Sequence, residues 1–185
     1  AMLGECRRIY TNAGNTAGRL KKFNGLDAEA LYHPPHLADR LAAGVYGDYV
    51  LGVGRLETVK RAHLAIEAMA HVDRPIELLL AGEGTQRANL EALASRLGVS
   101  DRVRFLGAVD DETLVRLYAD ALAVAYVPYD EDFGYVTLEA FLARKPVITA
   151  TDSGGPHEFV VDDVNGAVVP ADAVAIATAI NRYAG

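Results

Sequence analysis

Tyr49-Val50-Leu51-Gly52-Val53-Gly54-Arg55-Leu56-Glu57-Thr58-Val59-Lys60-Arg61 is the stretch that decides the architecture. A short apolar run, Tyr49 to Val53, ends at Gly54. From Lys60 to Val72 the apolar spacing changes from a strand period to a helix period, placing Leu64, Ala65, Ala68 and Met69 on one face. This is a strand, a tight turn and a helix in succession. The same alternation recurs along the rest of the chain. Apolar runs at Ile76–Ala81, Val103–Leu106, Leu122–Val127, Val147–Ala150 and Ala167–Val169 predict strands. Helical patterns lie between and after them at Arg87–Leu97, Asp111–Ala119, Val136–Ala143 and Ala173–Tyr183. Strands that alternate with helices predict an α/β domain with a parallel sheet and helices on both faces. Right-handed crossovers then gather every strand-to-helix loop at one edge of the sheet, where such folds bind ligands.

Before Tyr46 the pattern is weaker. Arg8-Ile9-Tyr10-Thr11 reads as a short strand. Asn15 is a helix N-cap residue type opening a helix through Phe23, and Asn24-Gly25 stops it. Ala30-Leu31-Tyr32 runs into His33-Pro34-Pro35, whose prolines favour an extended linker. The organisation expected is a leading unit with its linker over residues 1–45 and one α/β domain over 46–185. The opening Ala-Met looks like an expression-tag scar.

The 185 residues carry a net charge of −7 and are 51% hydrophobic, enough for one sizeable core. The acidic balance argues against a nucleic-acid binder, but a local cluster of cations and backbone N–H groups still serves a phosphorylated small molecule. One cysteine, Cys6, excludes an internal disulfide and two-cysteine metal motifs, and fits a cytoplasmic setting. No apolar stretch approaches the roughly 18 residues of a membrane span.

Two segments carry chemistry. In the first, Gly54 permits close approach of a ligand, and Arg55 and Lys60 flank the turn. Lys60, read as lying in the first helical turn, opposes the helix dipole, a conflict that a bound diphosphate would remove. The alternative is two solvated surface cations. The segment is neither a P-loop nor a dinucleotide fingerprint, because Glu57 occupies the place of the third glycine. The second is Tyr129-Asp130-Glu131-Asp132-Phe133-Gly134-Tyr135-Val136-Thr137-Leu138-Glu139-Ala140-Phe141. Phe133, Gly134 and Tyr135 are placed to offer unpaired N–H groups at a helix start, an anion site. Glu131 in the loop and Glu139 in the helix are acceptors suited to sugar hydroxyls. The alternative makes Glu131 and Asp132 helix caps and leaves Glu139 unexplained among apolar neighbours.

Taken together, these segments resemble the family-4 (group 1) glycosyltransferases, specifically the C-terminal donor-binding domain of their two-domain GT-B fold. Gly54-Arg55-Leu56 with Lys60 resembles the family's G-R-L-x-x-x-K segment, and Glu131 through Glu139 its E-x7-E motif. Val103-Arg104-Phe105-Leu106-Gly107, Lys145-Pro146-Val147-Ile148, Asp152-Ser153-Gly154-Gly155-Pro156-His157-Glu158 and Asn165-Gly166-Ala167-Val168-Val169-Pro170 are similar to further family stretches, in the same order. The likeness covers roughly Tyr46 to Gly185. It extends weakly to Ile9–Tyr32, which looks like the last strand–helix–strand of the family's N-terminal, acceptor-binding domain. Ala13 and Arg144 depart from the family's usual serine and glycine.

The resemblance implies a Rossmann-like donor domain, with a short remnant of the N-terminal domain, in an enzyme that transfers a sugar from a UDP-, GDP- or ADP-sugar with retention. It implies that Arg55 and Lys60 hold the diphosphate, helped by the N–H groups of Phe133, Gly134 and Tyr135, without a metal or other cofactor. Glu139 would then bind the ribose, Glu131 the donor sugar, and the Gly107–Asp110 loop, with Val109, the base. The acceptor (a sugar, lipid or polysaccharide) would be held by an N-terminal domain of which this chain has only a remnant. That enzyme would be cytoplasmic, with room for peripheral membrane contact. The chain alone is expected to be inactive, with residues 1–32 poorly packed or folded against the donor domain as the intact enzyme would not allow. Two other readings are a catalytically silent nucleotide-sugar-binding module and a nucleotide-sugar epimerase, the latter disfavoured by the motif pair. Gly82-Glu83-Gly84 reads as a structural turn, and His157 and Glu158 as packing or capping groups.

Overall fold

The computed structural model describes residues 5–185, so the opening Ala-Met lies outside the described residues. Six parallel strands form one sheet: β3 (Tyr49–Val53), β4 (Glu77–Ala81), β5 (Val103–Gly107), β6 (Ala123–Ala125), β7 (Val147–Ala150) and β8 (Gly166–Val169). Their order is β5-β4-β3-β6-β7-β8. The chain builds outward from β3 in one direction, then returns to β3's other side and builds outward in the other. The reversal lies between β3 and β6, so the loops leaving these two strands diverge and leave a crevice at their carboxyl ends.

Side chains of each inner strand alternate between two cores. Val50, Leu78, Leu80, Ala123, Ala125 and Ile148 face one, beneath α2 (Ala62–Met69), α3 (Arg87–Arg96) and α6 (Ala173–Tyr183). Leu51, Leu79, Ala81, Val124, Tyr126 and Val147 face the other, with α4 (Asp111–Asp120) and α5 (Tyr135–Leu142). Burial on both faces is why these strands read as continuous apolar runs. On β5, at the edge, only alternate residues are buried: Val103 is covered, while Arg104 and Leu106 are exposed. The expected parallel sheet with helices on both faces is present. Asp110 and Asp172 cap α4 and α6, accepting from Thr113 N and Ala175 N at 2.8 and 2.9 Å.

Three local expectations need correction. Lys60 ends a 3-10 turn, Thr58–Lys60, and Arg61 follows at φ 52°, so α2 begins only at Ala62. Lys60 is thus outside the helix, and the dipole conflict does not arise. Leu97, the expected last helical residue, follows the end of α3 as its C-cap and is 39% exposed. In the leading unit, β1 (Tyr10–Thr11) and β2 (Glu29–Ala30) pair in parallel around α1 (Gly14–Asn24). The N-cap position of α1 is Ala13, not Asn15, and no local side chain caps it.

α1 buries none of its residues, yet Ala13 at its start is fully buried. The linker also contributes to the main core: Leu37 and Leu41 pack into the second cluster. The leading unit therefore meets the sheet domain at the start of its helix and again through the linker.

Candidate functional site

The crevice between the carboxyl ends of β3 and β6 holds a cleft of about 330 Å³. Its lining includes Gly54, Arg55, Lys60, Glu131 and the segment Phe133–Tyr135. Asn12, from the leading unit, forms part of the wall.

The turn after β3 is built by close backbone approach. Gly54 has φ 141°, and its N–H donates to Ala81 O at 3.0 Å. Gly82 packs so tightly against it that a Cβ there would stand 2.0 Å from Gly54 O, which only glycine avoids. Leu56 N donates to Glu83 O, and Gln86 N to Leu56 O. The Gly82-Glu83-Gly84 turn therefore braces the loop that presents Arg55, in line with its structural reading.

Two adjacent cations are used in opposite ways. Arg61 is fixed: Nε and Nη2 donate to Val127 O and Pro128 O at 2.8 Å, and the guanidinium forks onto Asp152 at 2.8 and 2.6 Å. The hydrogen bonds and charge of Arg61 hold the Asp152 carboxyl below its ordinary range. Lys60 points instead into the cleft, where its ammonium pairs with Glu131. Both of these side chains are about four-fifths buried. Arg55 is exposed, and its guanidinium makes no hydrogen bond to another described residue. Tyr126, at the end of β6, faces Glu131. Burial first, and then that carboxylate, push its phenol pKa far up, so it stays a neutral donor.

α5 opens at the far wall. Its N-cap is Gly134 at φ 85°, without a side-chain cap, so neither Glu131 nor Asp132 caps the helix. The N–H groups of Phe133, Gly134 and Tyr135 find no acceptor among the described residues. Unpaired N–H groups and the positive end of a helix dipole suit an oxyanion. The side chain of Phe133 turns away from the opening. It is 2% exposed and lies among Tyr32, His33, Tyr135 and Phe159, with centroids 4.7–6.0 Å away.

The structure thus brings together Gly54, Arg55, Lys60, Glu131 and Phe133–Tyr135. It places two expected residues elsewhere. Glu139 is 6% exposed and does not line the cleft; its Oε2 accepts from the Tyr118 hydroxyl at 2.7 Å. That buried contact, after desolvation itself, raises the Tyr118 pKa. Val109 packs against the second core, half-buried beside the cap residue Asp110. Sequence reasoning missed Arg61, Tyr126 and Asn12. Arg61 had a signal, since it stands beside a cation already singled out. Asn12 had none, because only the docking of the leading unit brings it to the cleft.

Among the described residues no cluster of His, Cys, Asp and Glu is arranged to hold a metal ion. No helix there is long and apolar enough to cross a membrane.

Comparison with known proteins gives this geometry a context. The model of the family described as glycosyl transferases group 1 matches residues 42–184. An uncharacterized glycosyltransferase of Methanocaldococcus jannaschii is 38% identical over 148 residues, covering 77% of this chain and 38% of that protein. A D-inositol 3-phosphate glycosyltransferase of Xylanimonas cellulosilytica is 34% identical over 137 residues, 72% of this chain and 33% of that one. The chain therefore spans between a third and two-fifths of the length of these curated relatives. The Anabaena protein HepE, solved in complex with UDP and glucose, overlays with a TM-score of 0.85 at 25% identity, over 95% of this chain and 53% of that one. An overlay of that reach takes in most of the leading unit as well as the sheet. The unit itself is lightly packed, since α1 buries none of its residues.

Proposed function

The chain belongs to the group 1 glycosyltransferases, and we propose that its cleft binds the diphosphate and sugar of a nucleotide-sugar donor. The observation that carries this reading is the convergence of Arg55, Lys60 and the three unpaired N–H groups at the start of α5 on one cleft at the sheet's switch point. Together these groups can neutralise a diphosphate and stabilise the charge that grows on it as the glycosidic bond breaks. Protein cations would fill that role, without a metal or other cofactor. Glu131, beside Lys60, would accept hydrogen bonds from the donor sugar. Glu139 would take the ribose hydroxyls after a shift of its side chain, with Tyr118 holding one of its oxygens. The loop carrying Val109 would flank the base. UDP, GDP and ADP are the candidate carriers, and HepE's UDP and glucose favour testing UDP first.

In the intact enzyme the sugar would pass to a sugar, lipid or polysaccharide acceptor with retention of configuration, in the cytoplasm and with peripheral membrane contact. The division into residues 1–45 as part of an acceptor-side domain and 46–185 as the donor domain belongs to the same reading. Transfer needs donor and acceptor held together, which supplies about 7–11 kcal/mol of barrier lowering. A chain that presents the donor side alone should therefore bind donors without glycosylating acceptors.

Calorimetry with nucleosides, nucleoside diphosphates and nucleotide sugars tests the assignment. Charge-assisted hydrogen bonds contribute about 1.5–3 kcal/mol each, so Arg55→Ala and Lys60→Ala should each weaken the diphosphate about tenfold or more and leave the nucleoside unchanged. Glu139→Gln should weaken both. No binding of any common nucleoside diphosphate at millimolar concentration, or equal effects of all three variants on nucleoside and diphosphate, would overturn it.

A further inference from the structure

Glu158 lies outside the cleft, and the proposed chemistry does not use it. Its carboxylate nevertheless collects three donors from a segment more than 120 residues away in sequence. Gly14 N donates to Oε2 at 2.9 Å, Asn15 N to Oε1 at 2.6 Å, and the Tyr32 hydroxyl to Oε2 at 2.5 Å. The first two are orphan N–H groups at the start of α1, a helix that has no cap of its own. Glu158 thus supplies in tertiary structure the anionic cap that the local sequence omits.

The helix start so fixed holds something in turn. Asn15 Nδ2 donates to Glu131 O at 2.8 Å and to Asp130 Oδ1 at 3.1 Å. Glu131 is further tied to the turn leading to Glu158: its N–H donates to Ser153 O at 2.9 Å, and its carbonyl accepts from Gly155 N at 2.7 Å. Gly154 sits where the three segments meet. A Cβ there would stand 2.7 Å from Glu131 O and 2.8 Å from Asn15 Nδ2, and its φ is 72°. Arg19, one turn further along α1, pairs with Asp132 at 2.5 Å. Residues on both sides of Glu131 are therefore held by α1, whose start depends on Glu158.

We propose that Glu158 and Asn15 are positioning residues. Through the start of α1 they hold the Glu131 loop in register with Lys60, so that the sugar end of the cleft is formed only while the leading unit is docked. The diphosphate end is built by the turn after β3 and by α5, to neither of which Glu158 or Asn15 makes a hydrogen bond. The inference rests on the reading of the cleft as a donor site. It separates the two ends of one ligand: loss of the latch weakens recognition of the sugar and spares the diphosphate.

The test has two arms, each using the chain as it stands with Glu158→Ala, Glu158→Gln and Asn15→Ala. In the first, calorimetry compares UDP with UDP-glucose, and with GDP and ADP and their glucose conjugates if UDP does not bind. The alanine variants should lose about tenfold in the preference for nucleotide sugar over diphosphate, the order of effect expected of a misplaced polar group, while diphosphate affinity changes less than about twofold. Glu158→Gln, which keeps one acceptor oxygen, should fall between. In the second arm, hydrogen exchange follows the amides of Gly14, Asn15, Glu131 and Gly155, which should exchange about tenfold faster in the alanine variants while the amides of β3 and β7 are unchanged. An unaltered preference, or equal loss of sugar and diphosphate binding, overturns the inference. So does unaltered exchange at Glu131 and Gly155, whatever the ligands do. A wild-type chain that binds no nucleoside diphosphate overturns the donor-site reading instead, and the exchange arm then decides whether the latch exists.

Discussion

The sheet domain and the leading unit are built on different physical terms. In the sheet domain, Val50, Leu51, Ile66, Leu78, Ile148, Ile176 and Ile180 are almost fully enclosed between two layers of helices. In the leading unit, α1 buries nothing along its length, Phe23 is 71% exposed, and the helix is held by Glu158, Asn15 and Arg19. Burial of apolar area is strong and tolerant of small displacements. Polar docking is weaker and directional, since each bond needs its partner at one place. An element held in the second way can separate without exposing a core. It also fixes the group it touches more narrowly than an apolar contact would.

The largest expected difference between the two regions is in global stability. Ile148→Ala empties space in the fully buried core beneath the sheet and should cost about 2–5 kcal/mol in urea unfolding. A cost below about 1 kcal/mol would mean that the sheet is not the cooperative core.

A smaller effect sharpens the boundary between the regions. Arg61 and Asp152 belong to the sheet domain but are joined by polar contacts, as the leading unit is. The folded-state pKa of Asp152 lies below its unfolded value, so its contribution is present above the unfolded value and is lost as pH falls through the folded one. With the carboxylate 41% exposed, the bond's worth is discounted for solvent, and Asp152→Asn should cost about 1 kcal/mol at neutral pH. The gap between wild type and variant should close as pH falls from about 4 through the lower folded-state pKa, below which the wild-type carboxyl is neutral too. Unfolding midpoints measured across that range check it, and a gap that widens in acid would refute the assignment.

The smallest effect is expected on the exposed face of α1. Phe23→Ala should change global stability by less than about 0.5 kcal/mol, because the ring is already in water. A cost matching that of Ile148→Ala would show that α1 shares the core's cooperativity and would erase the contrast.

Much of this was legible in the chain itself. Tyr49–Val53, Val147–Ala150 and Ala173–Tyr183 fall where their apolar spacing puts them, and Gly54 and Gly134 stand at the turns that open the cleft. Local periodicity and turn chemistry are properties of neighbouring residues, so sequence alone determined the order of elements, the parallel α/β sheet and the edge at which the cleft forms. Tertiary structure alone decided how adjacent or isolated polar groups were used. Lys60 and Arg61 are consecutive cations, yet one turns into the cleft and the other locks onto Asp152, because a left-handed residue separates the 3-10 turn from α2. Glu139 is enclosed beside Tyr118 instead of lining the opening. Glu158 caps a helix that begins 144 positions earlier in the chain. No local pattern encodes such a pairing: a carboxylate is a suitable cap for any uncapped helix, and only the folded backbone determines which one comes within hydrogen-bonding reach.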